Sequence, residues 1–246
     1  MPVAARLARA WQPQAGTSPA ATDSVAAVIP AFNEGPTVGA VVKAVKTAGF
    51  FVSVIVVSDG STDDTVAAAR AADTDTVLEL PVNGGKGAAL AAGLNGAGAA
   101  GVPLVCFLDA DLVGLTPEHL ARLAEPVLAG RWAMSVGMWD RGPVQNFLAQ
   151  FMPLISGQRV LRREVFEDIP PSFRSGYKCE TAMNWFCRSN RLPYGRVFLP
   201  GLRVRLKPGK VGWLRALTGY VRMYSEVLSA MIQVRLAGRR AFVPGR

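Results

Sequence analysis

The sequence predicts an α/β/α sandwich built on a mostly parallel central sheet, with a C-terminal helical extension. Three observations carry this. Short apolar, β-branched runs alternate with helical patterns through the first 110 residues. The runs are apolar at nearly every position rather than at every second one, as in strands buried on both faces. Polar clusters follow directly after strands, where open parallel sheets bind their ligands.

The elements follow in order. Residues 25–30 (VAAVIP) read as a first strand and 36–48 as a helix opening at Pro36. Residues 51–57 (FVSVIVV) form a second strand, followed by a helix over 63–72. A third strand is expected at 76–80, a third helix at 86–97 and a fourth strand at 103–109. Beyond Arg131 the pattern loosens. Strands are expected at 132–138, 194–199 and 202–206, and helices at 179–190 and 212–236. The divisions are a disordered tail (1–23), a catalytic domain (24–210) and a C-terminal helix and tail (211–246). The last helix has three expected settings: the core, the partner of a homodimer, or peripherally on a membrane surface.

The 246 residues carry a formal charge of +9, unevenly spread. Residues 1–140 hold 8 Lys/Arg against 13 Asp/Glu, and residues 141–246 hold 19 against 5. An acidic first part suits a metal; a basic second part suits an anionic partner. The basic residues show no helix-turn-helix, zinc or RNP pattern, so nucleic acid is not expected. Cys106, Cys179 and Cys187 form no paired framework, which points to a reducing, cytoplasmic setting. No apolar run reaches the roughly 18–20 residues that span a bilayer.

Four stretches could carry chemistry. In FLDADLVGL (107–115), Asp109 and Asp111 lie one residue apart after an apolar run. In an extended segment both would face one point and could hold Mg2+ or Mn2+, hard cations that prefer oxygen; the structural alternative is a helix cap or a solvated turn at Asp111. In VSDGSTDDT (57–65), Ser61, Thr62 or Asp63 can cap the next helix, whereas Asp59 comes straight off the strand and can meet a base or sugar. In VNGGKGAAL (82–90), glycines at a helix start expose N–H groups beside Lys86, a setting for diphosphate, or simply a turn. It is no Walker A loop, since Gly87 follows Lys86, and no GxGxxG, since residue 90 is Leu. In SGQRVLRRE (156–164), Arg159, Arg162 and Arg163 are helically spaced, either a solvated face or a phosphate fork.

In order, VIPAFNE (28–34), VVSDGSTDDT (56–65), NGGKGAAL (83–90), DAD (109–111) and SGQRVLRRE (156–164) resemble a glycosyltransferase of family 2 with the GT-A fold, a Rossmann-like nucleotide-diphospho-sugar transferase fold. GYKCE (176–180) holds the place of a Gly-Tyr/Phe-Gly-x-Glu stretch. The style is that of polyprenyl-phosphate sugar synthases of the dolichyl type and of glucosyl-3-phosphoglycerate synthases.

The resemblance implies metal-dependent transfer of a hexose from a nucleotide-sugar, a UDP-sugar being favoured, to a phosphorylated acceptor. It implies that Pro30, Ala31, Asn33 and Glu34 line the nucleotide pocket and that Asp59 holds the base. Lys86 would lie along the donor, and Asp109, Ala110 and Asp111 would meet its ribose and diphosphate, with Asp109 and Asp111 on the metal. Catalysis would involve Asp111 and Glu180, and Gly157, Arg159 and Arg163 would receive the acceptor. Several relatives carry a late metal-binding His; here the one histidine is His119, expected in a surface helix. The rival classes are a sugar-phosphate nucleotidyltransferase and a non-catalytic nucleotide-sugar binding protein.

Overall fold

The computed structural model of the chain describes residues 25–96, 98–140, 142, 154–174, 176–205, 229, 231–237 and 242. The expected tail (1–23) and most of the C-terminal extension lie outside them. Strands are β1 (Val25–Ala31), β2 (Phe51–Asp59), β3 (Thr76–Leu80), β4 (Leu104–Phe107), β5 (Leu112–Val113), β6 (Met134–Trp139), β7 (Arg159–Arg162), β8 (Tyr194–Leu199) and β9 (Arg203–Val204). Helices are α1 (Gly35–Ala48), α2 (Thr65–Ala71), α3 (Lys86–Asn95), α4 (Pro117–Leu128), α5 (Arg163–Glu167) and α6 (Gly176–Ser189). Residues 231–236 are helical as well.

Seven strands form one sheet in the order β3-β2-β1-β4-β7-β6-β8. All its neighbouring pairs are parallel except those of β7, which runs against β4 and β6. Alternate residues of the central strands feed two cores. Val28, Ile55, Val57 and Phe107 pack with Leu90 and Leu94 of α3 and Met183 and Phe186 of α6. Ile29, Val54, Val56 and Cys106 pack with Val38, Val41 and Val45 of α1 and with Leu120 and Leu123 of α4. Burial on both faces explains why these strands read as unbroken apolar runs.

Local chemistry sets the ends. Helix α1 has Pro in its first turn and stops at Gly49, whose φ of 73° few other residues adopt. Helix α3 lies close on the sheet because Gly93 faces Val28; a Cβ there would come within 2.4 Å of the valine's Cγ1.

Three expectations change. Strand β4 ends at Phe107, so Asp109 and Asp111 sit in a turn rather than an extended run. Arg159 and Arg162 belong to a strand, because β7 fills the gap between β4 and β6 and tertiary pairing outweighs their spacing. His119 is buried in the first turn of α4, where its Nδ1 accepts from the Thr116 N–H and its Nε2 lies 2.8 Å from the Pro200 carbonyl. Among the described residues no helix is long and apolar enough to cross a membrane.

Candidate active site

A cavity of about 580 Å³ opens beyond the carboxyl ends of β1, β2 and β4. Most of the expected residues meet there: Pro30 and Ala31 closing β1 and Glu34 after it, Asp59 closing β2, Lys86 opening α3, the Asp109–Ala110–Asp111 turn, Gly157, and Glu180 on α6. Phe32, Trp139 and Gln158 also line it. Gln158 stands inside the SGQ stretch, where a neutral side chain beside Arg159 gives no local signal of a role.

Lys86 organises the floor. Its Nζ lies 2.6 Å from Asp109 Oδ1 and 3.0 Å from Glu180 Oε1. Burial works against its charge, but the two carboxylates outweigh it and hold the ammonium's pKa above its ordinary value. The remaining oxygen of Asp109 accepts from Gln158 Nε2 at 2.8 Å. Gly157 closes over this pair, since a Cβ there would stand 2.3 Å from both the Asp109 oxygens and Lys86 Nζ.

Asp59 does something other than expected. Its two oxygens accept the N–H groups of Gly84 and Gly85, each at 2.8 Å. The glycine loop is therefore pinned by the end of β2, and two of the amides expected to cradle diphosphate already have an anion. Asn33 is likewise a turn residue, with φ of 55° and its Oδ1 accepting from the Thr62 N–H. Asp63 joins two helix starts, accepting from the Gly35 N–H and from Thr65. Burial opposes its ionisation, yet these hydrogen bonds prevail and its pKa is lowered.

The arginines expected to receive the acceptor do not reach the cavity. Arg159 is fully buried, and its guanidinium donates to the carbonyls of Ser156 and Leu154 and to Asn184 Oδ1. The Arg163 guanidinium is turned to Glu167 and to the carbonyls of Leu94 and Ala99 near the end of α3. Both fix the frame, because a fork of five donors meets main-chain carbonyls as readily as phosphate.

The two acids of the DAD turn have separated roles. The cation beside Asp109 is the chain's own lysine, 2.6 Å from Oδ1. Asp111 is the unneutralised member: burial first, then the charges of Asp109 and Glu34, push its carboxyl up to about 6. Its turn is held by a two-stranded β5–β9 ladder and by the Arg205 N–H, which donates to the Asp111 carbonyl at 2.8 Å. The described residues offer no group of three or more His, Cys, Asp or Glu side chains for a metal. One carboxylate short of positive charge nevertheless fits Mg2+ or Mn2+, which take one or two protein carboxylates and complete their shell with phosphate oxygens and water.

The family model described as glycosyl transferase family 2 matches residues 26–180, more than half of the chain. The chain belongs to glycosyl transferase family 2. Among family 2 relatives, glucosyl-3-phosphoglycerate synthase of Mycobacterium tuberculosis is 33% identical over 130 residues, 50% of this chain and 39% of that protein. The matched segment thus spans well under two-thirds of that relative's length. An uncharacterised Methanocaldococcus jannaschii protein is 30% identical over 135 residues, covering 54% of this chain and 52% of the relative.

The fold matches solved structures of the same M. tuberculosis synthase. One, in complex with Mn2+, UDP and glucosyl-3-phosphoglycerate, aligns with a TM-score of 0.67 at 25% identity over 86% of this chain and 80% of that one. Another, with Mn2+, UDP-glucose and glycerol 3-phosphate, aligns with a TM-score of 0.67 at 26% identity over the same shares. The mostly parallel seven-stranded sheet is thus the GT-A architecture of family 2.

Proposed function

We propose that this protein transfers a hexose from a UDP-sugar, in the presence of Mg2+ or Mn2+, to a small phosphorylated acceptor of the phosphoglycerate class. One observation carries the reading. Among the described residues lining the cavity, Glu34, Asp59, Asp109, Asp111 and Glu180 are acids, and Lys86 is the single Lys or Arg. Such a cavity repels a bare diphosphate and accepts one accompanied by a divalent cation. The named ligands of the M. tuberculosis synthase support the donor and acceptor classes, and the basic second part of the chain supports an anionic acceptor.

Asp111 would hold the cation, with diphosphate and water completing its shell. The bound cation supplies Lewis-acid stabilisation of the charge that develops on the leaving diphosphate. The chain's own residues do the rest. Lys86 presents an ammonium to the diphosphate, Asp109 and Glu180 fix where that ammonium stands, and Gly157 leaves room for the donor above them. Glu180 also borders the cavity from α6, from where its carboxylate would face the sugar or acceptor. The three cysteines are free and buried, with burial pushing each thiol's pKa up, which accords with a cytoplasmic setting.

The test is UDP release from UDP-glucose with 3-phosphoglycerate, with and without Mn2+. GDP-mannose and ADP-glucose serve as alternative donors, and glycerol 3-phosphate as a second acceptor. Metal-dependent release that requires a phosphorylated acceptor is expected. Folded protein that releases no nucleotide from any donor would falsify the proposal.

A further inference from the structure

The cavity holds one buried amide among its acids. Gln158 is 1% exposed, and its side chain lies between the Ser156 hydroxyl and the Asp109 carboxylate. An ionised carboxylate only accepts, so the group at 2.8 Å from Asp109 Oδ2 is the amide nitrogen. The amide oxygen therefore faces Ser156 Oγ at 2.6 Å. The Ser156 hydroxyl is in turn anchored on the Gly137 carbonyl of β6.

A continuous chain of contacts results: Gly137, Ser156, Gln158, Asp109, Lys86, Glu180. It starts on β6, crosses the turn before β7 and the turn after β4, and ends where α3 meets α6. The Ser156 hydroxyl shares its one proton between two acceptors, the Gly137 carbonyl and the Gln158 amide oxygen, and the Gln158 amide N–H donates to Asp109. We propose that Gln158 is a positioning residue for the donor's diphosphate: its carboxamide fixes Asp109 so that the second carboxylate oxygen stations the Lys86 ammonium at the cavity floor.

The chemistry at 158 explains why an amide suits the role. A cationic donor there would compete with Lys86 for Asp109. An acid would place a second negative charge beside Asp109 and attract Lys86 to itself. A neutral N–H donor orients Asp109 without neutralising it, so the full charge remains for the lysine. An apolar side chain would leave one oxygen of a partly buried carboxylate without its donor, and the carboxylate would rotate.

The inference rests on the reading of the cavity as a nucleoside-diphosphate site, and its test separates the two. UDP and uridine are titrated with Mn2+ against the full-length protein, Gln158→Met, Lys86→Met and the double variant. Gln158→Met keeps chain length and burial but removes the donor. UDP is expected to bind at least about tenfold more weakly, the size of a lost charge-assisted hydrogen bond. Uridine, which has no phosphate for Lys86 to meet, is expected to change by less than about twofold. In the Lys86→Met background, Gln158→Met is expected to add less than about twofold, because the two act as one unit.

Ser156→Ala removes the other anchor of the amide. It should show the same UDP-selective loss in smaller measure, and it serves if Gln158→Met does not fold. Equal weakening of UDP and uridine would overturn the proposal, as would the full loss persisting without Lys86, or no loss at all. Wild-type protein that binds no UDP with Mn2+ would overturn the functional reading, and the positioning role with it.

Discussion

Lys86 and Glu180 stand ninety-four positions apart in the chain, yet Nζ and Oε1 are 3.0 Å apart at the floor of the cavity. The contact joins the first turn of α3 to the first turns of α6, and with Asp109 it gives the lysine two anionic partners. Lys86→Met leaves both carboxylates without their cation. The expected result is loss of UDP·Mn2+ affinity by about 2–5 kcal/mol, the scale for truncating one partner of a hydrogen-bonded charge pair. Titration calorimetry measures it, and unchanged affinity would remove Lys86 from the donor site.

Asp59→Asn tests the pinned glycine loop. The amide nitrogen must face one of two N–H groups that the carboxylate now receives. A loss of about 1–3 kcal/mol in urea unfolding is expected, the cost of an unmatched buried hydrogen bond. A variant as stable as wild type would show that the loop does not depend on this acid.

Gly157→Ala tests the crowding above Lys86. The added methyl would stand 2.3 Å from the Asp109 oxygens and from Lys86 Nζ, so the ion pair must shift. The fold is expected to persist while UDP·Mn2+ affinity falls at least about tenfold, since a displaced lysine loses its place on the diphosphate. Wild-type affinity in Gly157→Ala would mean that the donor does not use this arrangement.

Arg159→Met should act on stability rather than on substrate. It strands the Ser156 carbonyl and Asn184 Oδ1 and leaves the Leu154 carbonyl with the Asn184 amide alone, and a loss of about 3 kcal/mol or more is expected on thermal or urea unfolding. Arg159→Lys should not restore it, because an ammonium cannot reproduce the planar fork. A rise in acceptor KM with unchanged stability would return this arginine to the acceptor site.

The pH dependence follows from Asp111. Its carboxyl titrates near 6 in the fold against an ordinary 3.8, so the folded state holds the proton more tightly than the unfolded chain. Metal-free protein should lose stability as pH rises from about 4 through 6. Mn2+ competes with that proton, so its affinity should rise with pH through about 6 and level off above. Asp111→Asn should abolish most of the affinity and flatten both dependences, as melting curves with and without Mn2+ would reveal.

Much of the fold was legible because a parallel sheet covered on both sides demands apolar residues on both faces. Strand β3 and strand β8 fall where the pattern puts them, and α1 begins and ends at its Pro and Gly signals. Strand β7 was not legible: a four-residue antiparallel insertion carrying two arginines has no period of its own, and it exists because β4 and β6 leave a gap. The motifs gather around the cavity, but the fold gives some of their residues partners that a linear pattern does not show. Asp59 looked free for a base until the fold brought Gly84 and Gly85 to it, and Arg159 looked free for phosphate until burial enclosed it.

By itself the sequence determined which segments are strands of a doubly covered sheet and which acids gather at their carboxyl ends, since both depend on neighbours a few residues apart. Only the tertiary structure decided which acid keeps an unanswered charge. Asp109 and Asp111 are equivalent in the sequence, but Lys86 and Gln158 come to the site from distant elements and engage Asp109, while burial and the charges of Asp109 and Glu34 push the Asp111 carboxyl up to about 6. Charge pairing depends on distance in space, and a linear pattern does not contain that distance.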